Sequence, residues 1–164
     1  MSAPETKGPD GKRRLPLLPK TEVAQEGDEE RPPWHWAAIG AAAIFVFWLP
    51  LAFLANAALA RVHGGAEVDQ VPRAVQALMV GVNLLAFALA SFAAGLLVGR
   101  FGGKAGPREA TLAGLGAATI AWMIGIWGAQ AGLLIGAMLL ALLVVVSAGA
   151  ARLGGALGLR SRKP

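Results

Sequence analysis

The sequence predicts an all-α integral membrane protein with four transmembrane helices and both termini cytoplasmic. Three observations carry this reading. The 164-residue chain is 55% hydrophobic and only 15% charged, whereas a soluble domain is about a quarter charged. Its apolar residues gather into four runs long enough to cross the roughly 30 Å of bilayer hydrocarbon, which takes about 20 residues. Its Lys and Arg residues cluster in alternate connections, as retention of positive charge on the cytoplasmic side requires.

Residues 1–33 hold six prolines and thirteen charges, with few apolar residues beyond Leu15, Leu17, Leu18 and Val23. Such a segment cannot build a core, and a disordered cytoplasmic tail is expected. Within it, Lys12, Arg13, Arg14 and Lys20 (KRRLPLLPK) stand apart from Glu26, Asp28, Glu29 and Glu30. That basic stretch suits a docking motif or an anionic-lipid contact, each basic residue near an acidic leaflet being worth about 1 kcal/mol. The plainer alternative is a solvated tail that obeys the positive-inside rule.

The membrane domain is expected over 34–152. Its first span, 37–60, contains no ionisable residue and follows Trp34, His35 and Trp36, rings suited to the headgroup level. Pro50 should bend it, leaving the Val46 carbonyl without its usual donor. The small-residue triplets Ala55, Asn56, Ala57 and Ala58, Leu59, Ala60 match a cleavage pattern, but a secretory signal has an apolar stretch of only about 7 to 15 residues. The helix is therefore expected to remain. The loop that follows balances Arg61 and Arg73 against Glu67 and Asp69. Together with His63 these carboxylates could ligate a metal, yet a glycine-bearing loop lacks a supporting second shell, and a solvated loop is expected.

The second span, 74–99, is again free of charge, and Arg100, Lys104 and Arg108 follow it. Gly106, Pro107, Arg108 and Glu109 read as a helix start, proline suiting the first turn and a carboxylate the helix dipole. The third span, 109–128, carries Trp127 near its end; an uncharged connection at Gln130 leads to the fourth, 131–151. Residues 153–164 are read as a basic cytoplasmic C-terminus. Counting Arg152 with that terminus, the regional charges are −1 for the tail, 0 for the first loop, +2 for the second loop and +4 for the C-terminus. The net +5 is thus a topology signal, and nucleic acid is not an expected partner. An Ala-, Gly-, Leu- and Arg-rich composition fits a bacterial plasma (inner) membrane.

Several chemistries are excluded by what is missing. Without cysteine there is no disulfide, thiol catalysis or thiolate-held metal. No ionisable residue falls inside the predicted spans, where proton relays, ion-coupled carriers and voltage sensors place them. Small multidrug exporters share this length and span count but need the membrane carboxylate that is missing here. Residues 99–106 are glycine-rich but lack the strand context and GK[ST] ending of a phosphate loop. No catalytic site, cofactor or metal is expected.

The spans do carry small residues in stripes. Gly81, Ala88, Gly95 and Gly102 recur every seven positions, and Ser91, Gly95 and Gly99 every four. Gly114, Ala118, Ala121, Gly125 and Gly128 continue the pattern in the third span, and Gly132 and Gly136 in the fourth. In lipid such stripes let helix backbones approach closely; the partner helix is in the same chain or in another copy. Asn83, Phe87 and Ser91 share a face, so Asn83 and Ser91 could line a polar path. Small fluoride channels use a compact Asn, Gly, Ser, Phe pattern, whereas Asn83 stands eight positions before Ser91. One asparagine hydrogen-bonded to a neighbouring helix is the plainer reading.

The stretch SFAAGLLVGRFGGKAGPREATLAGLG, residues 91–116, resembles the central hairpin of small four-helix bacterial inner-membrane proteins of uncharacterised function. A Gly-xxx-Gly-Arg turn and a Glu-Ala helix opening carry that resemblance, which implies the fold and no activity. The expected role is a non-enzymatic accessory or scaffold protein, in contact with the lipid bilayer and with a membrane or cytoplasmic protein partner. The alternative is a small homo-oligomeric channel or permease.

Overall fold

The computed structural model describes residues 34–63, 72–128 and 132–162. The tail with Lys12, Arg13, Arg14 and Lys20, the loop acids Glu67 and Asp69, and Gln130 lie outside the described residues. Four helices follow in order: α1 Trp34–His63, α2 Arg73–Phe101, α3 Pro107–Gly128 and α4 Leu133–Arg160. All four are long and apolar enough to span a membrane. Even the shortest, 22 residues, reaches about 33 Å at ~1.5 Å per residue. Phe53, Leu89, Ile124, Leu134, Val145 and many other large apolar side chains face outward, which lipid tolerates and water does not. The chain is a multi-pass membrane protein built as a helical bundle.

Residue pairings give the helix directions. Gly40 of α1 meets Val98 of α2 and Ala113 of α3, while Asn56 pairs with Asn83, so α1 and α2 are antiparallel. In α3 and α4, Ala110 lies by Gly155 and Gly114 by Ala148, again antiparallel. Across the hairpins, Ser91 meets Ser147, Gly95 meets Ala151 and Gly99 meets Gly155; α2 and α4 therefore run the same way. One end of the bundle consequently holds the start of α1, the α2–α3 connection and the end of α4. Arg100, Lys104, Arg108, Arg160 and Arg162 gather at this basic end.

Local chemistry sets the helix ends. Pro107 opens α3, and Glu109 Oε2 reaches back to accept the Gly106 N–H at 2.7 Å, offsetting a donor that a helix start leaves unmatched. At the end of α2 the Gly102 N–H bonds Val98 O at 2.9 Å, and Gly103 turns the chain at φ 58°, a conformation glycine adopts without Cβ strain. Arg162 then donates to the carbonyls of Arg100 (2.8 Å), Val98 (3.2 Å) and Gly103. A cation here completes the negative end of the α2 dipole. The helix of α1 continues through Pro50 without interruption.

Helix α4 departs from the sequence reading. Its expected end at residue 151 is extended by more than two turns, through Arg160, into residues 153–160 assigned above to the C-terminal tail. Gly154, Gly155 and Gly158 are buried there against α2 and α3. Packing thus holds helical a stretch whose glycines disfavour helix on their own.

The core lies where all four helices meet. Ile44 of α1, Phe87, Ala90 and Ala94 of α2, and Ala117 and Ala118 of α3 are buried together, with Leu143 and Val144 of α4 against them. Alanine at most of these positions sets the helices close. Trp36 closes a second small cluster with Val98, Ala105 and Ala110 at the basic end.

Candidate functional site

The small-residue positions fall into two groups. A Cβ built on Gly95 would overlap the Ala151 carbonyl, and one on Gly99 the Gly155 carbonyl. Reciprocally, a Cβ on Gly154 would strike the Phe92 carbonyl, and one on Gly158 the Leu96 carbonyl. Both helices thus present bare backbone to each other, where Cα–H···O contacts and dispersion accumulate. Gly114 meets α4 in the same manner, its Cβ falling 2.8 Å from Ser147 O and from Ala148 Cα. Gly136 is closed by α3, with Ile126 Cδ1 2.8 Å from such a Cβ. Ala118 is fully buried and Ala88 half-buried. Gly81, Gly125 and Gly132 are different: a Cβ there meets nothing within 4 Å.

The two polar-path candidates find partners inside the chain, and they are different partners. Ser91 is fully buried; its Oγ donates to Phe87 O at 2.8 Å and lies 2.9 Å from Ser147 Oγ. A hydroxyl has one proton, so with Ser91 donating to the carbonyl, Ser147 donates to Ser91. Asn83 Nδ2 donates to Met79 O at 2.9 Å and to Asn56 Oδ1 at 3.1 Å, and Asn56 Nδ2 returns a bond to Asn83 Oδ1 at 3.3 Å. The paired amides tie α1 to α2. Asn83 and Ser91 therefore belong to separate helix contacts.

Near Asn83 the bundle opens. A cleft of about 510 Å³ is lined by Gln76, Met79, Asn83, Leu84 and Phe87 of α2, Trp48 of α1, Ala121 of α3, and Leu139, Leu142 and Leu143 of α4. The reason for the opening lies in α4. Its first turns lie beside the end of α3, where Trp122 Nε1 donates to Gly136 O at 2.7 Å. Only farther along does α4 reach α2. Trp48 stands edge-on to Phe87 at 5.3 Å, and its Nε1 is buried with no hydrogen-bond partner among the described residues.

The sequence pattern does not mark Gly40, Gly154, Gly155, Gly158, Asn56 or Arg162, whose contacts arise from the packing of the helices. The pairing of Asn56 with Asn83 needs the register of the α1–α2 hairpin. No family model matches the chain, and neither the curated proteins nor the solved structures include one that matches it. Among the described residues, no group of three His, Cys, Asp or Glu side chains stands close enough to hold a metal.

Proposed function

We propose that this protein is a non-enzymatic accessory or scaffold subunit of a bacterial plasma (inner) membrane, with both termini cytoplasmic. The observation that carries the reading is the internal satisfaction of Asn83 and Ser91 by Asn56, Met79, Ser147 and Phe87. A water-filled pathway would need such groups turned toward its lumen, whereas here they serve as ties between helices. The bundle is then a self-contained anchor. Its charged tail, through Lys12, Arg13, Arg14 and Lys20, and its basic end meet a cytoplasmic partner or anionic headgroups. The positive-inside rule supports that orientation.

The test is gentle extraction of the tagged full chain from its native membrane, with mass analysis of what copurifies. A stoichiometric partner that is lost when Lys12, Arg13, Arg14 and Lys20 are changed to Gln supports the reading. A homo-oligomer indifferent to those changes overturns it in favour of a channel, a rival that draws on Asn83 and Gln76 lining the cleft. Because the chain lacks cysteine, Asn83→Cys separates the two directly. A water-soluble maleimide labels it rapidly in a hydrated pore and slowly in a closed bundle.

A further inference from the structure

The extension of α4 places one charge where the spans were expected to have none. Arg152 is exposed and stands eight residues before the helix end at Arg160, roughly 12 Å along the axis at about 1.5 Å per residue. The charged ends of α2 and α3 are taken to mark the membrane boundary at this end. Gly158 lies against the Arg100 backbone and Gly155 against Pro107 and Ala110, so the first residues of α3 and the last of α2 are level with 155–158. Arg152 is a turn deeper. Around that level the outward residues Leu112 and Leu153 are apolar. Among the described helices, no other charged side chain stands more than a turn from a helix end.

Arg152 also has no ion-pair or hydrogen-bond partner among the described residues. Glu109, the one acid among the described residues, already has one oxygen on the Gly106 N–H, and Arg162 is spent on the end of α2. A guanidinium facing hydrocarbon extends its stem toward the headgroups. Its planar fork matches the oxygens of a phosphate.

We propose that Arg152 holds the phosphate of an anionic phospholipid in the leaflet at the basic end, with the lipid's chains lying along Leu112 and Leu153. Anionic rather than zwitterionic lipid is selected because Arg100, Lys104, Arg108 and Arg160 lie at the helix ends and connection just beyond that level, against Glu109 as the one described acid. A choline group would bring a second cation into that field.

The experiment is native mass spectrometry of the full chain in detergent micelles, titrated with phosphatidylglycerol or phosphatidylcholine. The wild type is expected to retain phosphatidylglycerol preferentially. Arg152→Gln should lower its occupancy about five-fold, the loss of one basic residue worth about 1 kcal/mol beside an anionic headgroup, while Arg160→Gln, at the helix end and away from the phosphate, should lower it less. Arg152→Lys, which keeps the charge but not the fork and guards against a folding defect, should retain more of the preference than Arg152→Gln. Equal retention by wild type and Arg152→Gln overturns the assignment, as does a Lys variant as defective as the Gln one. Displacement of the lipid by millimolar glycerol phosphate would show a site for free phosphate and overturn the lipid.

Discussion

Helices α2 and α4 meet in two ways along one interface. Toward the basic end, Gly95, Gly99, Gly154 and Gly158 bring backbone onto backbone, and the buried Ser91–Ser147 bond locks the register. Toward the far end the same helices separate around a cleft of about 510 Å³ whose largely apolar walls include Met79, Phe87 and four leucines, with Asn83 and Gln76 among them. Glycine content does not explain the difference, since Gly81 lies in the open half and Gly132 and Gly136 near the start of α4. What differs is geometry. The start of α4 is claimed by α3 through Gly136, Ile126 and Trp122, so its glycine there faces the wrong neighbour for α2. A small residue in lipid becomes a contact only where the chain path has already brought a second backbone within reach.

The largest expected effect comes from testing the closed half. Gly95→Ala places a Cβ inside the Ala151 carbonyl, and backbone cannot swing aside as a side chain can. Forcing α2 and α4 apart is expected to cost about 1–3 kcal/mol, the usual range for overpacking. Reversible unfolding in mixed SDS and detergent micelles measures it. A variant as stable as the wild type would mean that the glycine seam is not a close contact.

The next effect lies in the polar ties. A double-mutant cycle with Asn56→Ala and Asn83→Ala isolates the amide pair between α1 and α2. Interhelical hydrogen bonds in membranes average about 0.6 kcal/mol and reach ~1.7 kcal/mol. The coupling is expected in that range, read by the same unfolding assay. A coupling near zero would mean that the two amides turn elsewhere in the bilayer, which reopens the polar-path reading of Asn83.

Much of this architecture is legible in the sequence, because the signals involved are local. The four apolar runs 37–60, 74–99, 109–128 and 131–151 become four helices that start at Trp34, Arg73, Pro107 and Leu133, and Pro107 with Glu109 marks a helix start that the Gly106–Glu109 bond then makes. The end of α4 is not legible in this way. Arg152 looks like the close of a span by charge, and Gly154, Gly155 and Gly158 look like a helix breaker by propensity. Only the backbones of α2 and α3 lying alongside keep that stretch helical. The same limit applies to the small-residue stripes. Periodicity marks Gly81 and Gly95 alike, since both lie on one seven-residue repeat, and nothing local says which of them meets another helix. Likewise Asn83 and Ser91 share a face by spacing, but their partners come from α1 and α4 respectively.

The smallest effect is therefore the most discriminating when set beside the first. Gly81→Ala makes the same chemical change as Gly95→Ala, on the same helix and the same repeat, but its Cβ meets nothing within 4 Å. Without a clash, what remains is the helix preference for alanine over glycine, worth roughly 0.5–1 kcal/mol in water. The expected outcome is a stability equal to the wild type or slightly above it, opposite in sign to Gly95→Ala. If both variants were destabilised alike, Gly81 would have to be covered in the membrane by a helix beyond the four described. The open half of the bundle would then be an interface, and cross-linking through Gly81→Cys in this cysteine-free chain would show whether that helix belongs to a second copy.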